Sequence, residues 1–543
     1  MQRRGLAMLI SLALVSGILP VALALSPHQY RVLGPQAVNL WRLNQRLQPA
    51  SPAGSNEKVT ARATALPSNI IRSTFTQPLD HFDAKNSITF EQQYWVNTEF
   101  YEPGGPVILL DSGEDPGTDR LPYISTGIAA KLANATGGLC LVLEHRYYGG
   151  SIPVENFSTD ALRWLTNDQA MADSANFMAK INFTTATGIK GDLTAPNTPY
   201  IYYGGSYAGA RSAQMKVTYP ELVYGAIASS GVTHASVALW QYFDVVRNAA
   251  PNCSSVVVKA VETINTALSR PDLNSPLKQL FGLDGLADDD FASVLTSPLG
   301  GWQNHNWDPS IDDDSWTPFC EAIATKPSDA SRQSARIGNL TVDYGLLNYA
   351  NYSQTRFAAP CLRSNSTISE CYSTTDDAQF RVDDLSQTWR TWQFQVCTAW
   401  GFFIDAPPAN VPPIAAKALT LSYVSKICQQ AYPPGEFFQV PTEPNVASVN
   451  ALGGYFIAAD RLAIIDGEFD PWRPATPHSS YTNLPPRDDT ILRPFKLIPG
   501  AVHHWDENGL VDTADEPTEI QAIHEAEIAF VKAWLKDFKP PKS

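Results

Sequence analysis

The residues with the clearest chemical potential run Tyr202-Tyr203-Gly204-Gly205-Ser206-Tyr207-Ala208-Gly209-Ala210. A short apolar run over residues 199–203 precedes Ser206 and reads as a strand. A helical stretch over residues 211–219 follows. A serine held between small residues at a strand-to-helix turn is the setting of a nucleophile elbow. The chain must turn sharply there, so the flanking positions must be small, and the turn exposes the hydroxyl. Gly204 lies two residues before Ser206. Ala208 lies two after, where the G-x-S-x-G pattern has glycine, a mild departure because alanine is still small. The same turn aims the Tyr207 N–H toward the point where a carbonyl oxygen under attack gains charge. A glycine-rich turn without chemistry is the competing reading, and the strand–turn–helix setting weighs against it.

A nucleophilic serine needs a base, and the base needs an orienting acid. Around an elbow of this kind the chain order is Ser, then Asp, then His, with both partners after late strands. Residues 462–465 and 495–498 read as such strands. Asp470 follows the first, in Asp466-Gly467-Glu468-Phe469-Asp470-Pro471-Trp472, with Asp466, Glu468 and Asp506 as competitors for the acid. His503 and His504 follow the second, in Pro499-Gly500-Ala501-Val502-His503-His504-Trp505-Asp506, and placement alone leaves both open as the base. His145 also follows a buried strand, but it precedes the serine and reads as a structural hydrogen-bonder. A second oxyanion donor is expected from the loop after the strand at 106–110, Asp111-Ser112-Gly113-Glu114-Asp115-Pro116-Gly117. Gly113 and Glu114 are the candidates for that backbone N–H, and Glu114 is also a candidate substrate contact.

These loops need a rigid scaffold. Residues 92–96, 106–110 and 139–143 read as strands, the last two continuously apolar as strands buried on both faces are. Residues 124–132 and 167–180 read as helices, the second carrying Met171, Ala175 and Met178 at helical spacing. A closing helix is expected over 519–535, with Ile523, Ala526, Phe530 and Trp534 on one face. The alternation predicts an α/β fold with a mostly parallel sheet, built from residues 71–223 and 437–543. Between them, residues 224–436 lose the strand pattern and read as a helical, disulfide-bearing insertion.

The chain has 543 residues, 44% of them hydrophobic and only 17% charged, which suits a large core and argues against disorder. A net charge of −15 without a basic patch argues against nucleic acid as a partner. Arg3 and Arg4, an apolar run over 6–23 and the small-x-small triplet Ala22-Leu23-Ala24 predict a signal peptide over residues 1–24. Gly17 and Pro20 interrupt the run and weigh against a membrane anchor, and no later stretch reaches the roughly 20 apolar residues of a span. Residues 25–70, linker-like over 48–63, read as an N-terminal arm or propeptide. Seven Asn-x-Ser/Thr sequons, at Asn134, Asn156, Asn182, Asn252, Asn339, Asn351 and Asn365, fit an exported glycoprotein. So do seven cysteines. Six of them fall between residues 253 and 428, and their pairing cannot be read from sequence. Cys140, alone within an apolar run, is the candidate free thiol. No CxxC or HExxH spacing calls for a metal, and no cofactor is expected.

Five separated motifs resemble the prolyl carboxypeptidase family of serine peptidases. That family holds lysosomal prolyl carboxypeptidase, dipeptidyl peptidase II and the secreted fungal acid prolyl endopeptidases. The motifs are Phe75-Thr76-Gln77-Pro78-Leu79-Asp80-His81-Phe82, Glu144-His145-Arg146-Tyr147-Tyr148-Gly149, Leu165-Thr166-Asn167-Asp168-Gln169-Ala170, Gly204-Gly205-Ser206-Tyr207 and Gly467-Glu468-Phe469-Asp470-Pro471-Trp472. Each is modest alone; together, in this order, they are specific. Leu239-Trp240-Gln241-Tyr242-Phe243 and Asn252-Cys253-Ser254 look most like the fungal enzymes. The resemblance implies an α/β-hydrolase fold with a large, mainly helical cap domain inserted after the nucleophile helix. It implies Asp470 as the acid, His503 rather than His504 as the base, and Trp472 as a wall for substrate proline. Two departures stand out: Asp466 replaces a frequent Asn and adds charge near the acid, and His504 stands where fungal relatives have Cys.

The expected protein is therefore a secreted serine peptidase, with the lysosome or vacuole as the alternative destination. It would act on proline-containing peptides or proteins, cutting on the carboxyl side of proline. Endopeptidase action is favoured, with an exopeptidase of the same family as the alternative. An esterase or lipase, and a non-catalytic binding protein on the same scaffold, are the readings from other classes.

Overall fold

Short runs of apolar residues on both faces of a strand are stable only inside a sheet that is covered on both sides. The computed structural model, which describes residues 69–312 and 315–541, shows such a sheet. The expected signal peptide and all but the last two residues of the expected 25–70 arm lie outside the described residues. The sheet has eight strands: β1 (Ile70–Pro78), β2 (Thr89–Asn97), β3 (Val107–Asp111), β4 (Leu139–Leu143), β5 (Tyr200–Gly205), β6 (Val223–Ser229), β7 (Leu462–Gly467) and β8 (Phe495–Ile498). Their spatial order is β1-β2-β4-β3-β5-β6-β7-β8. The β1–β2 and β2–β4 pairs are antiparallel and the remaining five are parallel. This order, with helices on both faces, is the α/β-hydrolase fold. Tyr94, Leu109, Leu141 and Tyr202 pack one face against Met171, Phe177 and Met178 of the helix Asn167–Lys180. Ile108, Leu110, Cys140 and Val142 pack the other against Ile128, Leu132, Phe530 and Trp534.

Three boundaries differ from the sequence expectation. β6 belongs to the main sheet, so the insertion departs after Ser229 and not at residue 224. Ala226, Ile227 and Ala228 are fully buried between β5 and β7, and nothing in a three-residue apolar run separates a sheet strand from a helix. The helix expected over 124–132 is two, Leu121–Ser125 and Ile128–Thr136, because Gly127 lies against Tyr123 and the Glu507 carbonyl, where a Cβ would meet the carbonyl oxygen at 2.5 Å. The helix expected from 211 begins at Tyr207.

Residues 230–461 lie outside the main sheet and are mainly helical. Strand structure does not vanish there: Ser236–Ala238 pairs in parallel with Gly401–Phe403, and Ser334–Ile337 forms a hairpin with Leu340–Asp343. The disulfides are Cys253–Cys320, Cys361–Cys371 and Cys397–Cys428, and Cys140 is a buried free thiol, as its apolar surroundings suggest. The insertion shares its hydrophobic core with the sheet's loops, since one buried cluster contains Tyr207 and Trp472 together with Tyr242, Phe291, Phe319 and Trp400. All seven sequon asparagines are exposed. Among the described residues no helix is long and apolar enough to cross a membrane.

Three of the quoted motifs meet in one buried polar node. Arg146 is fully buried and grips Asp173 through Nε (2.6 Å) and Nη2 (2.7 Å). It also donates to the carbonyls of Pro78, Leu79 and Trp164. His81 Nε2 lies 2.7 Å from Asp173, and Gln169 bridges the His81 N–H and the Asp80 carboxylate. Arg146→Met therefore leaves a buried carboxylate without its main counter-charge. It should destabilise the fold by about 3–5 kcal/mol, read as a lower denaturant midpoint. An unchanged midpoint would count against the Arg146–Asp173 pair as a stabilising contact.

Candidate active site

The register of the sheet brings the ends of four strands to one edge. Gly205 pairs with Ser229, Ser229 also with Ile465, and Gly467 with Ile498. Ser206, Asp470 and His503 follow β5, β7 and β8, so all three leave the sheet on that edge.

Ser206 sits at φ 59° and ψ −122°, a conformation that costs a non-glycine residue of order 1–3 kcal/mol and persists only where the surroundings impose it. Its N–H donates to the Ser229 carbonyl (2.9 Å) and its carbonyl accepts from the Ala210 N–H (3.0 Å). The flanking small residues are required: a Cβ on Gly204 would lie 2.1 Å from the Ala208 carbonyl oxygen, and one on Gly205 would strike the Glu507 carboxylate at 2.7 Å. The Ala208 Cβ has room beside Gly113, which explains why this elbow accepts alanine.

His503 Nδ1 lies 2.9 Å from Asp470 Oδ2. The other Asp470 oxygen accepts the Trp472 N–H at 2.8 Å, so the carboxylate is held at both ends. His503 Nε2 is buried and has no hydrogen-bond partner among the described residues, leaving a lone pair for a hydroxyl proton. The competing acids are occupied elsewhere. Asp466 binds His478 Nδ1 (2.6 Å), Glu468 accepts the Gly500 N–H (2.9 Å), and Asp506 accepts from Tyr203 (2.7 Å) and Ser229 (2.6 Å). The second histidine, His504, lies 3.1 Å from Glu507 Oε2. Burial, and then the neighbouring His503, push its pKa down to about 4.

Tyr207 opens the helix Tyr207–Thr218, whose first N–H groups have no partner within the helix and suit a developing oxyanion. Its ring is clamped by Trp392 and Trp400, both at 5.1 Å, and its hydroxyl lies 3.1 Å from His145 Nε2 and accepts from Gln395 (2.7 Å). Burial and Arg211 hold His145 well below the usual histidine range, so it is neutral and structural. The expectation for Gly113 is corrected: its N–H donates to Asp111 Oδ1 at 3.0 Å and is not available to an oxyanion. That carboxylate also takes the Tyr202 hydroxyl (2.5 Å) and lies 2.9 Å from Arg211 Nε.

Trp472 is 5% exposed, with its ring 6.5 Å from His503 and edge-on to Tyr242 (5.3 Å) and Phe402 (5.5 Å). Its Nε1 donates to Gln303 Oε1 (2.7 Å), which also accepts the Tyr242 hydroxyl (3.2 Å). Sequence reasoning missed Gln303, because nothing in Gly301-Trp302-Gln303-Asn304 marks one glutamine of the insertion as facing a loop 169 residues away.

Buried acids give the site a pH signature. Burial, and then Asp115, push Glu114 up to about 8, and burial pushes Asp506 up to about 6. In this range the native state keeps protons that the unfolded chain releases, so stability falls as pH rises from about 4.5 toward about 8. Glu114→Gln should raise the thermal midpoint at pH 8 relative to the parent and leave it unchanged near pH 4. Equal effects at both pH values would count against a protonated native Glu114.

The model of the family described as serine carboxypeptidase S28 matches residues 77–523. The chain is 37% identical over 513 residues to a probable extracellular serine carboxypeptidase of Arthroderma benhamiae, covering 89% of this chain and 70% of that one. It is 28% identical over 490 residues to the serine protease vicPa of Bipolaris victoriae, covering 87% and 90%. It is 26% identical over 529 residues to the lysosomal Pro-X carboxypeptidase of Pongo abelii, covering 91% and 94%. The solved proline iminopeptidase of Mycobacterium smegmatis superposes at a TM-score of 0.36 and 13% identity, covering 86% of this chain and 100% of that one. So loose a fit adds nothing to the sheet order.

Proposed function

Because the chain belongs to the serine carboxypeptidase S28 family and is a serine-type peptidase, we propose that it hydrolyses peptide bonds on the carboxyl side of proline, with Ser206 as nucleophile, His503 as base and Asp470 as orienting acid. The observation that carries this reading is the His503–Asp470 pair, with an unpartnered Nε2, on the same sheet edge as the strained Ser206 elbow. Ser206 Oγ attacks the carbonyl carbon while His503 Nε2 takes its proton. The carbonyl oxygen, now negative, is met by the Tyr207 N–H. His503 then protonates the leaving amine, and water repeats the sequence on the acyl-enzyme. Asp470 keeps the Nδ1 proton in place and stabilises the imidazolium. The indole of Trp472 offers a flat apolar wall to a rigid pyrrolidine ring.

The names of the relatives from Arthroderma benhamiae and Pongo abelii support carboxypeptidase action as the second reading, beside the endopeptidase action favoured from sequence. They also support an exported protein, in line with the expected signal peptide and the seven exposed sequons as glycan sites.

Three peptides test the reading across an acid-to-neutral series: an N-blocked X-Pro anilide, the same anilide with a free amine, and an N-blocked Pro-Phe acid. Cleavage of the blocked anilide means an endopeptidase. Cleavage of the acid alone means a carboxypeptidase, and of the free amine alone a dipeptidyl peptidase. No cleavage of any of the three, with a p-nitrophenyl ester cleaved, would keep the serine hydrolase chemistry and remove proline from the reading.

A further inference from the structure

The acid loop (467–472) and the histidine loop (499–508) belong to the hydrolase sheet, yet one short segment of the insertion holds both. Trp302 Nε1 donates to the carbonyl of Phe469, the residue before Asp470, at 2.9 Å. Gln303 accepts from Trp472. Trp307 Nε1 donates to the Trp505 carbonyl at 2.9 Å, and Trp505 Nε1 donates back to the His305 carbonyl at 2.8 Å. Asn508 Nδ2 donates to Asp308 Oδ2 at 2.6 Å, with both residues buried. Residues 302–308 thus make two hydrogen bonds to the loop of Asp470 and three to the loop of His503.

Direct ties between the two loops lie close to the sheet. The Phe469 N–H donates to the Ala501 carbonyl (2.8 Å) and the Gly500 N–H to the Glu468 carboxylate (2.9 Å). Among the described residues, the hydrogen bonds that join the acid loop to residues 504–508 run through the insertion. Loops are the least rigid parts of a fold, while an acid–base pair must keep its geometry to about half an ångström. Trp302 also packs edge-on against Trp316 of the helix Trp316–Ala324, which the Cys253–Cys320 disulfide fastens to the helix Pro251–Leu268. The segment therefore has a stiff anchor behind it.

We propose that residues 302–308 are a positioning strap: Trp302 and Trp307 hold Asp470 and His503 in reacting register, and Gln303 fixes the plane of Trp472 against the substrate's proline. The strap rests on the function proposed above. Its consequence is that the state of the insertion sets the rate of the chemical step.

Conservative variants of the full chain test it. Trp302→Phe with Trp307→Phe keeps both rings and removes both N–H donors. The double variant should lower kcat by about 10- to 100-fold with KM nearly unchanged, and slow fluorophosphonate labelling of Ser206 by a similar factor. The downfield proton of the His503–Asp470 hydrogen bond should broaden or shift. Gln303→Leu should raise KM for proline peptides by about 10-fold relative to alanine peptides and slow labelling less than the double variant does, and Gln303→Glu, which keeps an Oε acceptor, should restore the preference. Labelling, kcat and the downfield resonance all unchanged in the double variant would overturn the strap, even with a lowered thermal midpoint, for that is an ordinary interface. A parent that labels but ignores proline peptides would sink the specificity reading and leave the Trp variants decisive. A parent that does not label would sink the nucleophile, and the downfield resonance would then decide the strap.

Discussion

Ser206→Ala leaves the protein folded and lowers kcat by about 10⁶-fold, the loss expected when the nucleophile of a serine–histidine–aspartate set is removed. The fold should survive because the elbow is held by backbone groups: the Ser206 N–H on the Ser229 carbonyl and the Ala210 N–H on the Ser206 carbonyl. Alanine keeps the Cβ and therefore the same strain at φ 59°. Circular dichroism and the thermal midpoint should match the parent, while kcat collapses and fluorophosphonate labelling vanishes. What remains is the contribution of the oxyanion donors and binding, about 10³- to 10⁴-fold over water. Activity that survives in a folded variant would place the nucleophile elsewhere and end the reading.

The part of this site that was legible from sequence is the part fixed locally. The small residues around Ser206 are demanded within a few positions of it: Gly204 faces the Ala208 carbonyl and Gly205 faces Glu507. The apolar runs of β3, β4 and β5 are buried throughout, so their position and type follow from composition alone. Asp470 and His503 are legible as residues a few places past late strands, because the parallel register carries strand ends to a common edge. What sequence could not give depends on partners far along the chain. The choice among four acids turns on who else holds them: His478 takes Asp466, and Tyr203 takes Asp506 from 303 positions away. Nothing in Asp111-Ser112-Gly113 marks the Gly113 N–H as held by the Asp111 carboxylate. β6 is not legible because an Ala-Ile-Ala run carries no period, and its neighbour β7 lies beyond the whole insertion. Gln303 and the two strap tryptophans were hidden for the same reason.

Asp470→Asn carries the second large effect, a fall in kcat of about 10⁴-fold with little change in KM. The two oxygens of Asp470 have different duties. Oδ2 faces His503 Nδ1, and Oδ1 takes the Trp472 N–H. An asparagine can keep its carbonyl oxygen on the Trp472 N–H, so the tryptophan wall and the binding it supports are retained. Its amide N–H₂ then faces Nδ1, which must become an acceptor, and the imidazole proton moves to Nε2. That tautomer cannot take the Ser206 proton, so the loss falls on the chemical step. Asp466→Asn is the matched control, the same change one turn of the loop earlier. Asp466 is as deeply buried as Asp470, but its oxygen is held by His478, which stacks on Phe495 at 3.6 Å. Burial raises its pKa against the opposing pull of His478, and Asp470 adds to that rise. This variant should keep kcat within about tenfold of the parent and change mainly how activity varies with pH. Equal losses in the two variants would mean that the loop is simply intolerant of asparagine. A 10⁴-fold loss in Asp470→Asn alone, at constant KM, would identify the carboxylate that orients the base.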